Sequence, residues 1–209
     1  MRAAFYKDLI ANRTYIAVLA LVLVAISVVG IYANQLIIFP FIFGVIGMLY
    51  FTATFARDAE SKVNRTILAG PISRNELVNL NFLITLALGV VAFAVTGVLA
   101  YLMVEMPWKN TVLVASFAFA VTLLLTIIQL PLFYKFGPEK AKLFLVAVFI
   151  VVFAGSSFVG SNKQAIFEWV AKALTLPPLT NAGILLTVTI VLTAVSLWIS
   201  RKIMAGKEF

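Results

Sequence analysis

The chain has 209 residues, 63% of them hydrophobic and 11% charged, with a formal net charge of +8 and a mean hydropathy of +1.10. Soluble domains carry about 25% charged residues, so this is the composition of an integral membrane protein. Cysteine and histidine are both absent, which excludes disulfides, the usual zinc sites and thiolate or imidazole catalysis.

Residues 1–13 form an amphipathic segment. On a helical wheel Ala3, Phe5, Tyr6, Leu9 and Ile10 share one side and Lys7, Asp8 and Asn12 lie opposite, as expected of an interfacial helix resting in the headgroup plane. Six charge-free stretches follow, at 14–33, 36–56, 82–104, 111–134, 143–160 and 182–200. Each is close to the roughly 20 residues needed to cross a bilayer. The first is a true span and not a cleaved leader, because its apolar run exceeds the ~7–15 residues of a signal core. The expected fold is all-α, a single polytopic unit over 1–209 with six transmembrane helices, an N-terminal interfacial helix and a cytoplasmic coupling helix.

Thirteen of the 16 Lys and Arg residues fall in the N-terminus, the loops at 57–77 and 135–142 and the C-terminus; only Lys109, Lys163 and Lys172 lie on the other side. The positive-inside rule then places both termini in the cytoplasm. These charges are scattered through short loops, where anionic lipid accounts for them, so nucleic acid is not an expected partner.

The loop at 57–77 is the longest polar island in the first half of the chain. Ala59, Val63 and Ile67 recur every four residues, giving a short helix with a narrow apolar stripe that Gly70-Pro71 terminates. Ser73-Arg74-Asn75-Glu76 reads as a capping box flanked by Ile72 and Leu77 as its hydrophobic staple, so the third membrane helix starts before the bilayer. A rigid helix joined by a tight break to a long helix is a lever; the plain alternative is a well-capped solvated loop.

Within the membrane, Thr85, Gly89, Ala92 and Thr96 line one stripe of the third helix, and Phe119, Thr122, Thr126 and Gln129 one stripe of the fourth. Close helix packing with hydroxyl and amide cross-links accounts for both. The alternative for Thr122, Thr126 and Gln129 is a translocation path, with Gln129 the strongest case because a buried amide has several bonds to satisfy. Pro40 and Pro131 mark local kinks, and Gly137-Pro138 turns the 135–142 loop into a tight hairpin. In the outer loop at 161–181, Ile166, Phe167, Val170 and Leu174 share one side and Glu168 pairs with Lys172 at i,i+4, the pattern of a second interfacial helix.

Two absences narrow the energy source. There is no G-x-x-x-x-G-K-S/T phosphate loop, since Gly206-Lys207 is followed by Glu208, so the chain does not hydrolyse ATP alone. No Asp, Glu, Lys or Arg lies inside the six spans, which disfavours ion-coupled transport.

Two stretches carry a family resemblance. Phe55-Ala56-Arg57-Asp58 through Leu68-Ala69-Gly70-Pro71-Ile72-Ser73-Arg74-Asn75-Glu76-Leu77-Val78 is similar to the cytoplasmic loop of small ABC-2 type permeases. In these an acidic residue follows the second span and a leucine-small-small-Pro-Ile-Ser-Arg run precedes the third. Leu130-Pro131-Leu132-Phe133-Tyr134-Lys135-Phe136-Gly137-Pro138-Glu139-Lys140-Ala141 resembles the same family's exit from the fourth span, and Lys7-Asp8-Leu9 its N-terminal amphipathic lead-in. Within the family the chain looks like the permeases of phenol-soluble-modulin (Pmt-type) peptide exporters, with Asn79 and Asn81 where that pattern has a lysine.

The resemblance implies a multi-pass permease of the bacterial plasma membrane that exports amphipathic peptides or other hydrophobic compounds. The helix at 59–69 would dock in a groove of a separate cytoplasmic ABC ATPase subunit. Arg57, Asp58, Glu60, Val63, Asn64, Ile67, Leu68, Gly70, Pro71, Ile72, Ser73, Arg74 and Glu76 would contribute to that docking. ATP and magnesium would sit in the partner, this chain holding no cofactor and no enzymatic activity of its own. A second permease chain, identical or different, would complete the path among membrane lipid. The alternatives are a membrane anchor or sensor subunit that recruits a partner through the same island, and an ion-coupled carrier.

Overall fold

The structure is a computed structural model that describes residues 13–32, 38–61, 73–104, 106–161 and 176–206. The expected interfacial helices at 1–13 (all but Arg13) and 164–174, and the loop at 62–72, lie outside the described residues. Five helices are present: α1 (Arg13–Tyr32), α2 (Ile38–Ser61), α3 (Arg74–Val104), α4 (Trp108–Ser161) and α5 (Pro178–Ala205), with no strand among the described residues. Among the described residues, four segments are long and apolar enough to cross a membrane: Phe39–Ala59, Arg74–Leu102, Trp108–Ala141 and Pro178–Ala205. α1 adds an apolar helix of 20 residues.

α4 is two helical limbs joined at Gly137, whose φ of 77° and ψ of 171° fall where only glycine sits without strain. Pro138 follows at the start of the second limb, a position that needs no backbone donor. Pro40 occupies the first turn of α2, where its missing N–H has no intrahelical partner to lose, so the kink expected there is not required.

The first limb of α4 is the hub on which α2, α3 and α5 pack. Approach is close because small residues face it. A Cβ at Gly47 would lie 2.9 Å from Thr126 Oγ1, and one at Gly89 would overlap Leu123 and meet the Phe119 ring at 3.1 Å. The predicted stripe of Thr85, Gly89, Ala92 and Thr96 is buried along its whole length, as close helix packing requires. α5 inverts the pattern of a soluble helix. It buries Ala182, Thr189, Thr193, Ser196 and Ser200 while Ile184, Val188, Leu192, Val195 and Trp198 stay exposed. Lipid tails solvate large aliphatic groups as well as a protein core does, so small residues go to the seam and large ones to lipid. Thr189 and Thr193 donate to the carbonyls of Leu185 and Thr189, both at 2.7 Å, and so bring no unpaired hydroxyl into the seam.

Pro131 explains one bond between helices. A proline inside a helix leaves the carbonyl four residues earlier without its donor, here that of Ile127. Ser196 Oγ of α5 donates to that oxygen at 2.6 Å. The serine thus replaces the bond that the proline removes, as a membrane interior demands. Replacing Ser196 by Ala should lower stability by about 1 kcal/mol, and the same change in a Pro131→Ala background should cost clearly less. Unfolding in mixed micelles measures both, and additive losses would show that the two residues are not linked.

Candidate functional site

Of the residues expected to receive a partner, those that the structure describes flank 62–72. α2 runs unbroken to Ser61, so Arg57, Asp58 and Glu60 belong to the last turns of the second span, and the beginning of the expected 59–69 helix is continuous with it. Val63, Asn64, Ile67, Leu68, Gly70, Pro71 and Ile72 lie outside the described residues. On the far side, Ser73, Arg74 and Glu76 open α3. The backbone N–H of Ser73 donates to Glu76 Oε2 at 2.9 Å, the Glu76 N–H donates to Ser73 Oγ at 3.2 Å, and Ser73 Oγ donates to Glu76 Oε2 at 3.3 Å. These reciprocal bonds are those of a capping box. The 31 residues of α3 rise about 46 Å, longer than the roughly 30 Å of hydrocarbon.

Both flanks run into one buried cluster. Phe51 of α2, Leu77, Val78 and Phe82 of α3, Ile127, Leu130, Phe133, Tyr134 and Ala141 of α4 and Met204 of α5 form a continuous apolar core. Phe55 lies against it, its ring 4.9 Å from that of Phe133 and 5.2 Å from that of Tyr134. A polar bond crosses this core, Asn81 Nδ2 donating to the Tyr134 hydroxyl at 2.7 Å. Asn81 is 5% exposed and Tyr134 3%, so the pair is shielded from water and fixes the register of α3 on α4. Beside the core, a cleft of about 430 Å³ opens between Ala56 and Ala59 on α2 and the turn from Phe136 to Lys140. The receiving segment and the break in α4 therefore lie at the same end of the bundle.

Arg74 and Arg201 add contacts that sequence reasoning missed. Arg74, expected to face a partner, donates through Nη1 to the carbonyls of Ala205 at 3.2 Å and Met204 at 3.5 Å, at the C-terminus of α5. In return, Nε and Nη2 of Arg201 donate to Asn79 Oδ1 on α3 at 3.0 and 2.6 Å. Both pairs are more than 120 positions apart in sequence, and no local pattern points to them.

Thr122, Thr126 and Gln129 lie together, fully buried. Gln129 Nε2 donates to Thr52 Oγ1 at 2.8 Å and to the Met48 carbonyl at 3.1 Å on α2. Thr122 and Thr126 return their hydroxyls to the carbonyls of Ala118 and Thr122, at 2.8 and 2.7 Å. In this arrangement the stripe joins α2 to α4. Gln129 Oε1, Thr96 Oγ1 and Ser200 Oγ are buried without a hydrogen-bond partner among the described residues.

Apolar helices of spanning length packed on a hub through small residues define a multi-pass helical membrane protein. The chain belongs to the ABC-2 family of transporter proteins: the family model described as ABC-2 family transporter protein matches residues 5–205. It is accordingly a permease subunit of an ABC transporter, a class that works with an ATPase partner. Comparison with curated proteins and with solved structures gives no match.

Tyr134→Phe strands the Asn81 amide in an apolar core and should cost about 1–3 kcal/mol. Asn81→Leu combined with Tyr134→Phe, which removes both polar groups, should be more stable than Tyr134→Phe alone. Unfolding of the three variants decides the point; a double variant no more stable than Tyr134→Phe would exclude a specific pair.

Proposed function

We propose that this permease is the membrane half of an ATP-driven exporter of amphipathic peptides or other hydrophobic compounds, moved by a cytoplasmic ATPase that docks on the 59–69 segment. The observation that carries the reading is the convergence of both flanks of that segment on the Phe133–Tyr134 cluster. A displacement of the loop cannot be absorbed by one loose helix end; it pushes on four helices at once.

In this reading the chain crosses six times with both ends inside, supported by the 13-to-3 division of basic residues. Direction supports it too. Ile127 meets Ser196, and Tyr134 shares a core with Met204, so the first limb of α4 and α5 run the same way. The chain must therefore recross between them. The limb from 138 to 161 is 24 residues, about 36 Å, and long enough to do so. ATP-driven closure of the partner moves the docked helix, Gly70-Pro71 acts as the break that turns translation into tilt, and the capped root carries the tilt into α3. The absence of charge inside the spans suits an amphipathic cargo better than an ion, and the likeness to Pmt-type permeases favours a peptide. Burial of Thr122, Thr126 and Gln129 between α2 and α4 favours a seam, with the path formed where two permease chains pair.

Replacing Ile67 and Leu68 with Asp should abolish co-purification of the ATPase and leave membrane insertion intact; a surviving complex rejects the docking assignment. Changing Gly70-Pro71 to Ala-Ala should let helix continue through the break, so that ATP turnover persists and export falls. Export at the parent rate rejects the lever.

A further inference from the structure

The geometry points to α5 as a second output of the receiving loop, clamped to the root of α3 by Arg74 and Arg201 so that the two helices move as one piece. This rests on the docking reading above and extends it, because a lever on α3 alone needs no connection to α5.

The clamp has two rungs facing in opposite directions. At its foot, Arg74, the first residue of α3, donates to the carbonyls of Met204 and Ala205. The last carbonyls of a helix have no donor within it, and a cation there also meets the negative end of the helix dipole. Five residues further along α3, Asn79 accepts both guanidinium bonds of Arg201 at 2.6 and 3.0 Å. Met204, 2% exposed, lies on the same end of α5 and joins the cluster of Leu77, Val78 and Tyr134. A single exposed arginine contact contributes little. Two rungs of opposite polarity beside a buried side chain resist sliding in either direction.

Arg74 thereby becomes a positioning residue. It is the first residue of α3 after the loop, so a pull on the loop reaches the carbonyl end of α5 through its own side chain. The buried positions of α5 before Met204 are small or hydroxyl side chains, and Ser196 among them bonds to the Ile127 carbonyl of α4. That seam permits a rigid shift of α5 when its foot is drawn.

The test exploits a chain without native cysteine. Asn75 and Ala205 are both exposed; Asn75 follows Arg74 in the chain, and Ala205 enters the lower rung only through its backbone carbonyl, which a cysteine there retains. They are replaced by cysteine and joined by a short bifunctional thiol reagent in the permease–ATPase complex. The clamp predicts that the bridge forms in the permease alone and leaves ATP turnover of the complex within about twofold of the unbridged protein. In proteoliposomes, Arg201→Gln, which removes the upper rung and lies outside the expected docking residues, should retain the ATPase and lower ATP-driven uptake of a fluorescent amphipathic helical peptide at least about fivefold, the low end of ordinary coupling between sites. The bridge should restore that uptake. A bridge that does not form, a bridge that stops turnover, or a loss of uptake that the bridge does not repair overturns the clamp. If the parent complex takes up no peptide, the cargo assignment fails and bridged turnover still decides the clamp. If no ATPase co-purifies with the parent chain, the docking reading fails and takes the clamp's role with it.

Discussion

Lipid tails are as apolar as leucine, so pressing one membrane helix against another expels no water and yields little hydrophobic stabilisation. Everything in this bundle depends on how α4 holds its neighbours under that constraint. It does so by contact and by a few buried bonds. Gly47 and Gly89 admit α4 side chains closer than any Cβ would allow. Gln129 reaches the Met48 carbonyl and Thr52, and Ser196 takes the carbonyl that Pro131 sets free. Each bond is modest alone, on the order of 1 kcal/mol. Their effect is to make α4 the element against which the others are positioned.

The packing changes character along the bundle. In the spanning part the seams are small and polar, and the large side chains face outward. At the end carrying Arg74, Lys135 and Arg201 the seam becomes a packed aromatic and aliphatic core with Phe51, Phe133 and Tyr134 almost wholly enclosed. Such a core resists compression and transmits strain. A loop that receives force is best rooted in material of this kind, while the small-residue seams beyond it allow helices to shift without unpacking large side chains. Structure and proposed mechanism meet here: the stiff end is beside the expected docking segment, and the seams that permit sliding are in the bilayer.

Much of this architecture was legible in the sequence because hydrophobic length and helical period are local properties. The described helices overlap the expected stretches at 14–33, 36–56, 82–104, 111–134, 143–160 and 182–200, and four segments among the described residues are long and apolar enough to cross a membrane. The Ser73–Glu76 cap was readable because both partners lie within one turn. The stripe through Gly89 was readable because it repeats at helical spacing. What stayed hidden depends on which helix lies beside which. Asn79 and Asn81 look alike in sequence, yet one accepts Arg201 and the other donates to Tyr134. Arg74, expected among the docking residues, also reaches the last carbonyls of α5. The bond at Ser196 had a usable signal, since a proline at 131 implies an unpaired carbonyl at 127. Choosing its donor from the hydroxyls of α5 required the fold.

If a partner engages 57–72, the roots behind that segment respond as one unit. Amide hydrogen exchange of the permease in lipid nanodiscs, with and without its ATPase, addresses both parts, because cooperative units open together and a bound surface gains protection. The account predicts that the ATPase slows exchange across 57–72, and that 74–82, 127–134 and 197–205 open with one common protection in both conditions. Protection gained on the opposite side of the membrane, or a root of α3 that exchanges independently of α4 and α5, would contradict it.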